Sequence, residues 1–162
     1  MTTAIYPGSF DPVTYGHIDV IRRASRIFDR VVIGVLYNKT KKPVFSVEEK
    51  IDMIQEVTKD LDNIEVVAFG GLLVDFCKKI DANVIVRGIR AVSDFEYELM
   101  MAQTNHKLDK GIETMFFATN AKYSFLSSST VRELAYFGGD ISSFVPPYVE
   151  QKTLAKFKEL NP

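Results

Sequence analysis

Thr2 to Tyr37 reads TTAIYPGSFDPVTYGHIDVIRRASRIFDRVVIGVLY. Thr2–Tyr6 has strand character and stops at Pro7-Gly8. From His17 to Phe28 the apolar residues Ile18, Ile21, Ala24, Ile27 and Phe28 recur at helical spacing. Val31–Tyr37 is β-branched and apolar on successive residues, as a strand buried on both faces must be. A strand, a glycine-containing turn, a helix and a second buried strand make one βαβ unit. Its crossover is right-handed and its strands are parallel.

The pattern repeats along the chain. Ser46-Val47-Glu48-Glu49 has capping-box spacing, and Val47, Ile51, Ile54 and Val57 continue a helical stripe. Ile64–Phe69 reads as a third strand, Leu72–Ile80 as a helix and Val84–Val86 as a fourth strand. Ser93-Asp94-Phe95-Glu96 is a second capping-box pattern, opening a helix to about Lys107. Thr114–Ala118 reads as a fifth strand and Ser129–Phe137 as a helix stopped by Gly138-Gly139. Pro146-Pro147 opens a last helix, so a helical segment begins near 147. The expectation is one α/β domain over residues 1–162, a doubly wound, five-stranded parallel sheet with helices on both faces. Ligands of such folds bind beyond the carboxyl ends of the strands, where the strand order reverses.

Lys and Arg number 20 against 21 Asp and Glu, which gives no general field for a nucleic acid backbone. Cys77 stands alone in an apolar helical stretch and reads as a buried, inert thiol. No signal-peptide pattern opens the chain, and Val31–Leu36, interrupted by Gly34, falls far short of the ~20 residues of a membrane span. The expectation is a cytoplasmic protein without nucleic acid or membrane partners.

Chemistry is expected after strands one, two, four and five. Gly8 to His17 offers close backbone approach and a helix N-terminus, where His17 meets a phosphate; a glycine-rich turn with a capping histidine is the alternative. Arg87-Gly88-Ile89-Arg90 brackets a glycine with two guanidinium forks, or is a pair of solvated charges. Tyr123 to Arg132 carries the hydroxyls Ser127, Ser128, Ser129 and Thr130 into a helix. One of them suffices as a cap, and the run with Arg132 suits a triphosphate. Lys39, Lys41 and Lys42 form a lysine loop, either solvated or closing over phosphate.

Gly8-Ser9-Phe10-Asp11-Pro12 with Thr14-Tyr15-Gly16-His17 resembles the T/HxGH signature of the nucleotidyltransferase superfamily, and Leu126 to Arg132 resembles its ISSTxxR signature. Arg87 to Arg90 with Asp94 to Glu98 is similar to the bacterial phosphopantetheine adenylyltransferase family in particular. The likeness runs from Ile5 to at least Val145, with Leu126 in place of isoleucine and Ser9 in place of a frequent threonine.

The resemblance implies a Rossmann-like nucleotidyltransferase fold and transfer of AMP from ATP to 4′-phosphopantetheine, giving dephospho-coenzyme A and pyrophosphate. It assigns Ser9, Lys41, Leu73 and Arg87 to the acceptor. It assigns Ser9, Phe10, His17, Gly88, Ile89, Arg90, Glu98, Tyr123, Ser124, Phe125, Leu126, Ser127, Ser128 and Ser129 to ATP. His17, Lys41 and Arg90 are the implied catalytic residues. Mg²⁺ carried mainly by ATP, a homohexamer and feedback inhibition by coenzyme A complete the implication. A phosphate monoester acceptor is already largely dianionic at neutral pH, so no general base is needed. The competing readings are adenylyl or cytidylyl transfer to another acceptor, and a nucleotide-sensing module without turnover.

Overall fold

A computed structural model describes residues 1–37 and 42–160. Five parallel strands, β1 (Thr3–Gly8), β2 (Arg30–Leu36), β3 (Ile64–Phe69), β4 (Val84–Ile89) and β5 (Glu113–Ala118), lie in the order β3-β2-β1-β4-β5. The order reverses between β1 and β4, which pair through Ala4–Val84 and Ile5–Ile85. The crevice there is the place for a ligand.

Successive residues of the central strands feed two cores. Ala4, Tyr6, Val31, Ile33, Val35 and Val86 face one core, and Ile5, Val32 and Ile85 face the other. The first is closed by α1 (Tyr15–Ser25), α2 (Val47–Thr58), α5 (Ser128–Tyr136) and α6 (Pro147–Leu160). The second is closed by α3 (Leu73–Ile80), whose Val74, Phe76 and Cys77 are buried. Burial on both faces explains why these strands read as unbroken apolar runs. Cys77 is fully buried, and burial pushes its thiol up to about 11, in accord with an inert sulfur.

Several boundaries differ from the sequence reading. Helix α1 begins at Tyr15 rather than His17 because Thr14, in extended conformation, accepts the His17 amide at its side chain. It ends at Ser25, so Ile27 leaves the apolar face and is 58% exposed. Strand β4 continues three residues past Val86, because Arg87, Gly88 and Ile89 pair with Phe116, Phe117 and Ala118 of β5. Leu72 is the N-cap of α3. Ser127 caps α5, which therefore opens at Ser128, and the chain leaves α5 through Gly138 at φ 72°.

The capping box expected at Ser93 does not form. Helix α4 (Val92–Leu108) starts two residues earlier, on Ala91, with no side-chain cap. It packs on α3, β4 and β5 but buries only Asn105. Val92, Phe95, Tyr97, Leu99, Met100 and Leu108 stay exposed, with Met115 of β5. No helix among the described residues is long and apolar enough to cross a membrane.

Candidate active site

A cleft of about 280 Å³ opens at the carboxyl ends of β1 and β4. Its floor is the turn after β1. A Cβ on Gly8 would come within 3.0 Å of the Phe10 ring, so glycine is what lets the turn fold over that ring. Phe10 sits at φ 46°, a region few side chains adopt, held there by a ring only 2% exposed. The ring meets Tyr6 edge-on at 5.5 Å and His17 at 5.0 Å.

His17 occupies the third position of α1. Its Nδ1 accepts the Thr14 backbone N–H at 3.0 Å. An N–H can only donate, so Nδ1 carries no proton and the neutral ring bears it on Nε2. Burial, and then the fields of Arg90 and Arg87, lower the imidazole to about 4. One ring edge opens on the cleft while aromatic walls and two guanidiniums surround the rest. At neutral pH the site therefore offers a fixed, uncharged Nε2–H donor at a helix N-terminus. The capping and phosphate-facing readings of His17 coincide in one geometry. Tyr6 stays protonated beside it, pushed up to about 12 by burial.

The two arginines enter from β4 and just beyond it. Arg87 holds both Glu98 oxygens, through Nε at 2.7 Å and Nη2 at 2.6 Å, and donates from Nη1 to Pro7 O at 2.8 Å. Two of its five N–H groups remain for a ligand. Arg90 is held by Asp94 through Nε at 3.1 Å and by Leu126 O through Nη1 at 2.6 Å. Asp94 accepts the Arg90 amide as well, at 3.3 Å. Asp94 and Glu98 lie one turn apart on α4 and neutralise one guanidinium each.

The far wall is the start of α5. Ser127 caps Thr130, Ser128 donates to Pro12 O at 2.8 Å, and Ser129 accepts from Arg132. The hydroxyl run is thus largely engaged with the protein itself, and α5 presents its N-terminus to the cleft.

The cleft gathers Ser9, Phe10, His17, Arg87, Gly88, Arg90, Glu98, Tyr123, Leu126, Ser127 and Ser128 from five separate segments. Ile89, Ser124 and Phe125 lie off its lining: the Ile89 carbonyl is taken by Thr119, Ser124 donates to Ala121 O, and Phe125 packs on Phe144. Ser129 lines an adjoining cavity instead. Leu73 lines a third, more apolar cavity of about 430 Å³, which shares Pro7, Gly8, Ser9, Arg87 and Glu98 with the cleft. Lys41 and Lys39 lie outside the described residues.

Sequence reasoning missed Thr119, which lines the cleft from the end of β5, and Lys50. The signal for Lys50 was present: it stands three residues after Val47 and four before Ile54, on the apolar stripe of α2, where a lysine needs a reason. It is only 3% exposed.

The sequence matches the cytidylyltransferase-like family over residues 5–134. It is 57% identical to the phosphopantetheine adenylyltransferase of Lachnoclostridium phytofermentans, over 97% of this chain and 96% of that protein. It is 54% identical to the phosphopantetheine adenylyltransferase of Caldanaerobacter subterraneus subsp. tengcongensis, over 98% and 99%. Among solved structures, a Vibrio parahaemolyticus protein assigned as nicotinate-nucleotide adenylyltransferase superposes with a TM-score of 0.72 at 20% identity, covering 98% of this chain and 97% of that one. That likeness is one of fold.

Proposed function

Since this chain belongs to the phosphopantetheine adenylyltransferases of the cytidylyltransferase-like family, we propose that it transfers AMP from ATP to 4′-phosphopantetheine, giving dephospho-coenzyme A and pyrophosphate. One observation carries the reading beyond the likeness. A polar cleft and an apolar cavity meet at Ser9 and Arg87. That is the shape required by a triphosphate on one side and a phosphate on a long, largely apolar arm on the other.

In this reading the acceptor phosphate rests on the two free N–H groups of Arg87, with its arm along Leu73. ATP lies across Phe10, Gly88, Arg90, Tyr123 and the start of α5. The acceptor oxygen attacks the α-phosphorus, the bond to the bridging oxygen breaks, and its electron pair leaves with pyrophosphate. No proton need be removed from the dianionic nucleophile. His17 donates Nε2–H to the α-phosphate as charge shifts, and Arg90 neutralises the same group. Positioning and electrostatic stabilisation thus supply the catalysis. Lys41 is assigned to the acceptor phosphate by resemblance alone.

No group of three or more His, Cys, Asp and Glu side chains converges among the described residues. Mg²⁺ would be carried mainly by the phosphate oxygens of ATP, where it would neutralise charge. In this reading coenzyme A is an inhibitor because it carries the same pantetheine arm as the acceptor and would compete for the cavity along Leu73. The exposed apolar side chains of α4 support a homo-oligomer, a hexamer by family likeness.

The test is turnover. Purified protein with ATP and Mg²⁺ is expected to form dephospho-coenzyme A and pyrophosphate from 4′-phosphopantetheine. Preferential adenylylation of nicotinamide mononucleotide would overturn the choice of acceptor, and a monomeric mass by light scattering would overturn the oligomer.

A further inference from the structure

Beside the cleft, and joined to it at Ser9 and Ser128, lies a cavity of about 610 Å³ between α2 and the start of α5. Among the described residues, three cations line it, Lys42, Arg132 from α5 and Lys50 from α2, with one acid, Asp11.

Asp11 holds the loop before α2 and forms ion pairs with Arg132 at 3.8 Å and Lys50 at 4.0 Å. Its two oxygens accept the backbone N–H groups of Val44 and Phe45, each at 3.0 Å. Arg132 donates to its carbonyl at 2.7 Å and to Ser129 Oγ at 3.2 Å. Lys50 is different. Its side chain is 3% exposed, yet its ammonium makes no hydrogen bond with any described residue. The nearest carboxylate oxygen, on Asp11, stands at 4.0 Å, an ion-pair distance without a hydrogen bond. Burial pushes the ammonium below the ordinary lysine value, and Asp11 offsets only part of that. Three N–H donors without a protein partner thus open on a cavity whose described cations outnumber its one described acid, a setting that an anion would complete.

We infer that Lys50 and Arg132 form the seat of the leaving pyrophosphate. This rests on the adenylyl-transfer reading. Ser128 lines both the cleft and the cavity, so a triphosphate whose α-phosphate is held at His17 has a continuous path into the cavity. When the bond from the α-phosphorus to the bridging oxygen breaks, both electrons remain on pyrophosphate. Lys50 meets that charge with hydrogen bonds and gives up no proton. The residue belongs to neither signature motif. It comes from α2, which is held to the turn after β1 by the grip of Asp11 on Val44 and Phe45.

The reaction run backwards tests it, with ATP formation from dephospho-coenzyme A and pyrophosphate measured for the full chain and for Lys50→Gln and Lys50→Arg. Lys50→Gln should raise the KM for pyrophosphate by about tenfold or more, the size of a lost charged hydrogen bond. The KM for dephospho-coenzyme A should stay within about twofold, and Lys50→Arg should recover most of the loss. An unchanged pyrophosphate KM in Lys50→Gln, with a lower melting temperature, would reduce Lys50 to a structural partner of Asp11. Should Lys50→Gln not fold, the unsubstituted protein answers. Its Lys50 ammonium NMR signal should shift on titration with pyrophosphate, and a signal unmoved at saturation would overturn the inference. If the unsubstituted protein makes no ATP at all, adenylyl transfer has failed, whereas the titration still decides on the anion seat.

Discussion

Helices α2 and α4 start from the same four-residue signal and resolve it differently. At α2, Ser46 accepts the Glu49 amide at 3.1 Å and Glu49 returns the bond to the Ser46 amide at 2.7 Å. At α4, Ser93 lies inside the helix, Ala91 caps without a side-chain bond, and Asp94 turns back to Arg90. The difference is not one of propensity. Arg90 needs a carboxylate to fix it in the cleft, and Asp94 lies four residues on, within reach. A local rule gives way where a site requires it. Helix α1 shows the third outcome: Thr14 and His17 complete a capping box with histidine in the place of the usual glutamate. There the cap and the chemistry use one side chain.

The largest effect is expected at α1, where the two roles can be separated. His17→Ala removes both and should lower kcat about 10²–10³-fold, with a loss of roughly 1 kcal/mol in stability. His17→Glu restores an acceptor at the third helical position, the usual capping-box residue, with no N–H donor. Its melting temperature should return towards that of the parent while kcat stays low. Near-normal turnover in His17→Glu would make His17 a cap and nothing more.

The protonation state gives a second measurement on the same residue. With the folded imidazole at about 4 and the unfolded one near 6.5, the unfolded chain takes up the proton first as pH falls. His17 thus makes the protein lose stability between roughly pH 6.5 and 4, and contributes nothing to the slope above that window. Protonation also requires Nδ1 to surrender the Thr14 amide. NMR of the free protein should show the Nε2–H tautomer at neutral pH, with titration starting only well below 6. A midpoint near 6.5 would end the claim that the cleft holds a neutral donor.

Smaller effects are expected at α4, graded by how tightly each acid holds its arginine. Glu98→Gln breaks the two-pronged grip on Arg87 and should raise the acceptor KM about tenfold, while the ATP KM moves little. Asp94→Asn should cost less, a few-fold in kcat, because Leu126 O still holds Arg90. If Glu98→Gln weakens ATP instead of the acceptor, Glu98 touches the nucleotide directly and its hold on Arg87 is incidental.

The same contrast explains what the sequence discloses. The alternation of strands and helices and the cap at Ser46 rest on local periodicity and turn chemistry, which are written in consecutive residues. Arg87 inside β4 was hidden, because its pairing with Phe116 depends on a strand almost thirty residues away. The start of α4 was hidden because Ser93 with Glu96 and Asp94 with Arg90 are two ways to open one helix, and spacing alone does not rank them. Lys50 was concealed by a stripe reading that counted apolar residues and passed over the charged one among them.

The smallest effect is the one that isolates the two caps from any chemistry. Ser46→Ala removes the acceptor of the Glu49 amide and leaves that N–H to water, a loss of about 1 kcal/mol. For a chain of this size the melting temperature should fall by about 2–4 °C, with turnover unchanged. Ser93→Ala removes a hydroxyl that caps nothing, at a helical position where alanine is the better residue. Its melting temperature should hold or rise slightly. The two substitutions are identical in chemistry and fall at the same place in the S-x-x-E pattern, so a loss at Ser46 alone reports the capping box there. Equal losses from both would mean that Ser93 caps α4 after all and that the hold of Asp94 on Arg90 is not the competing force.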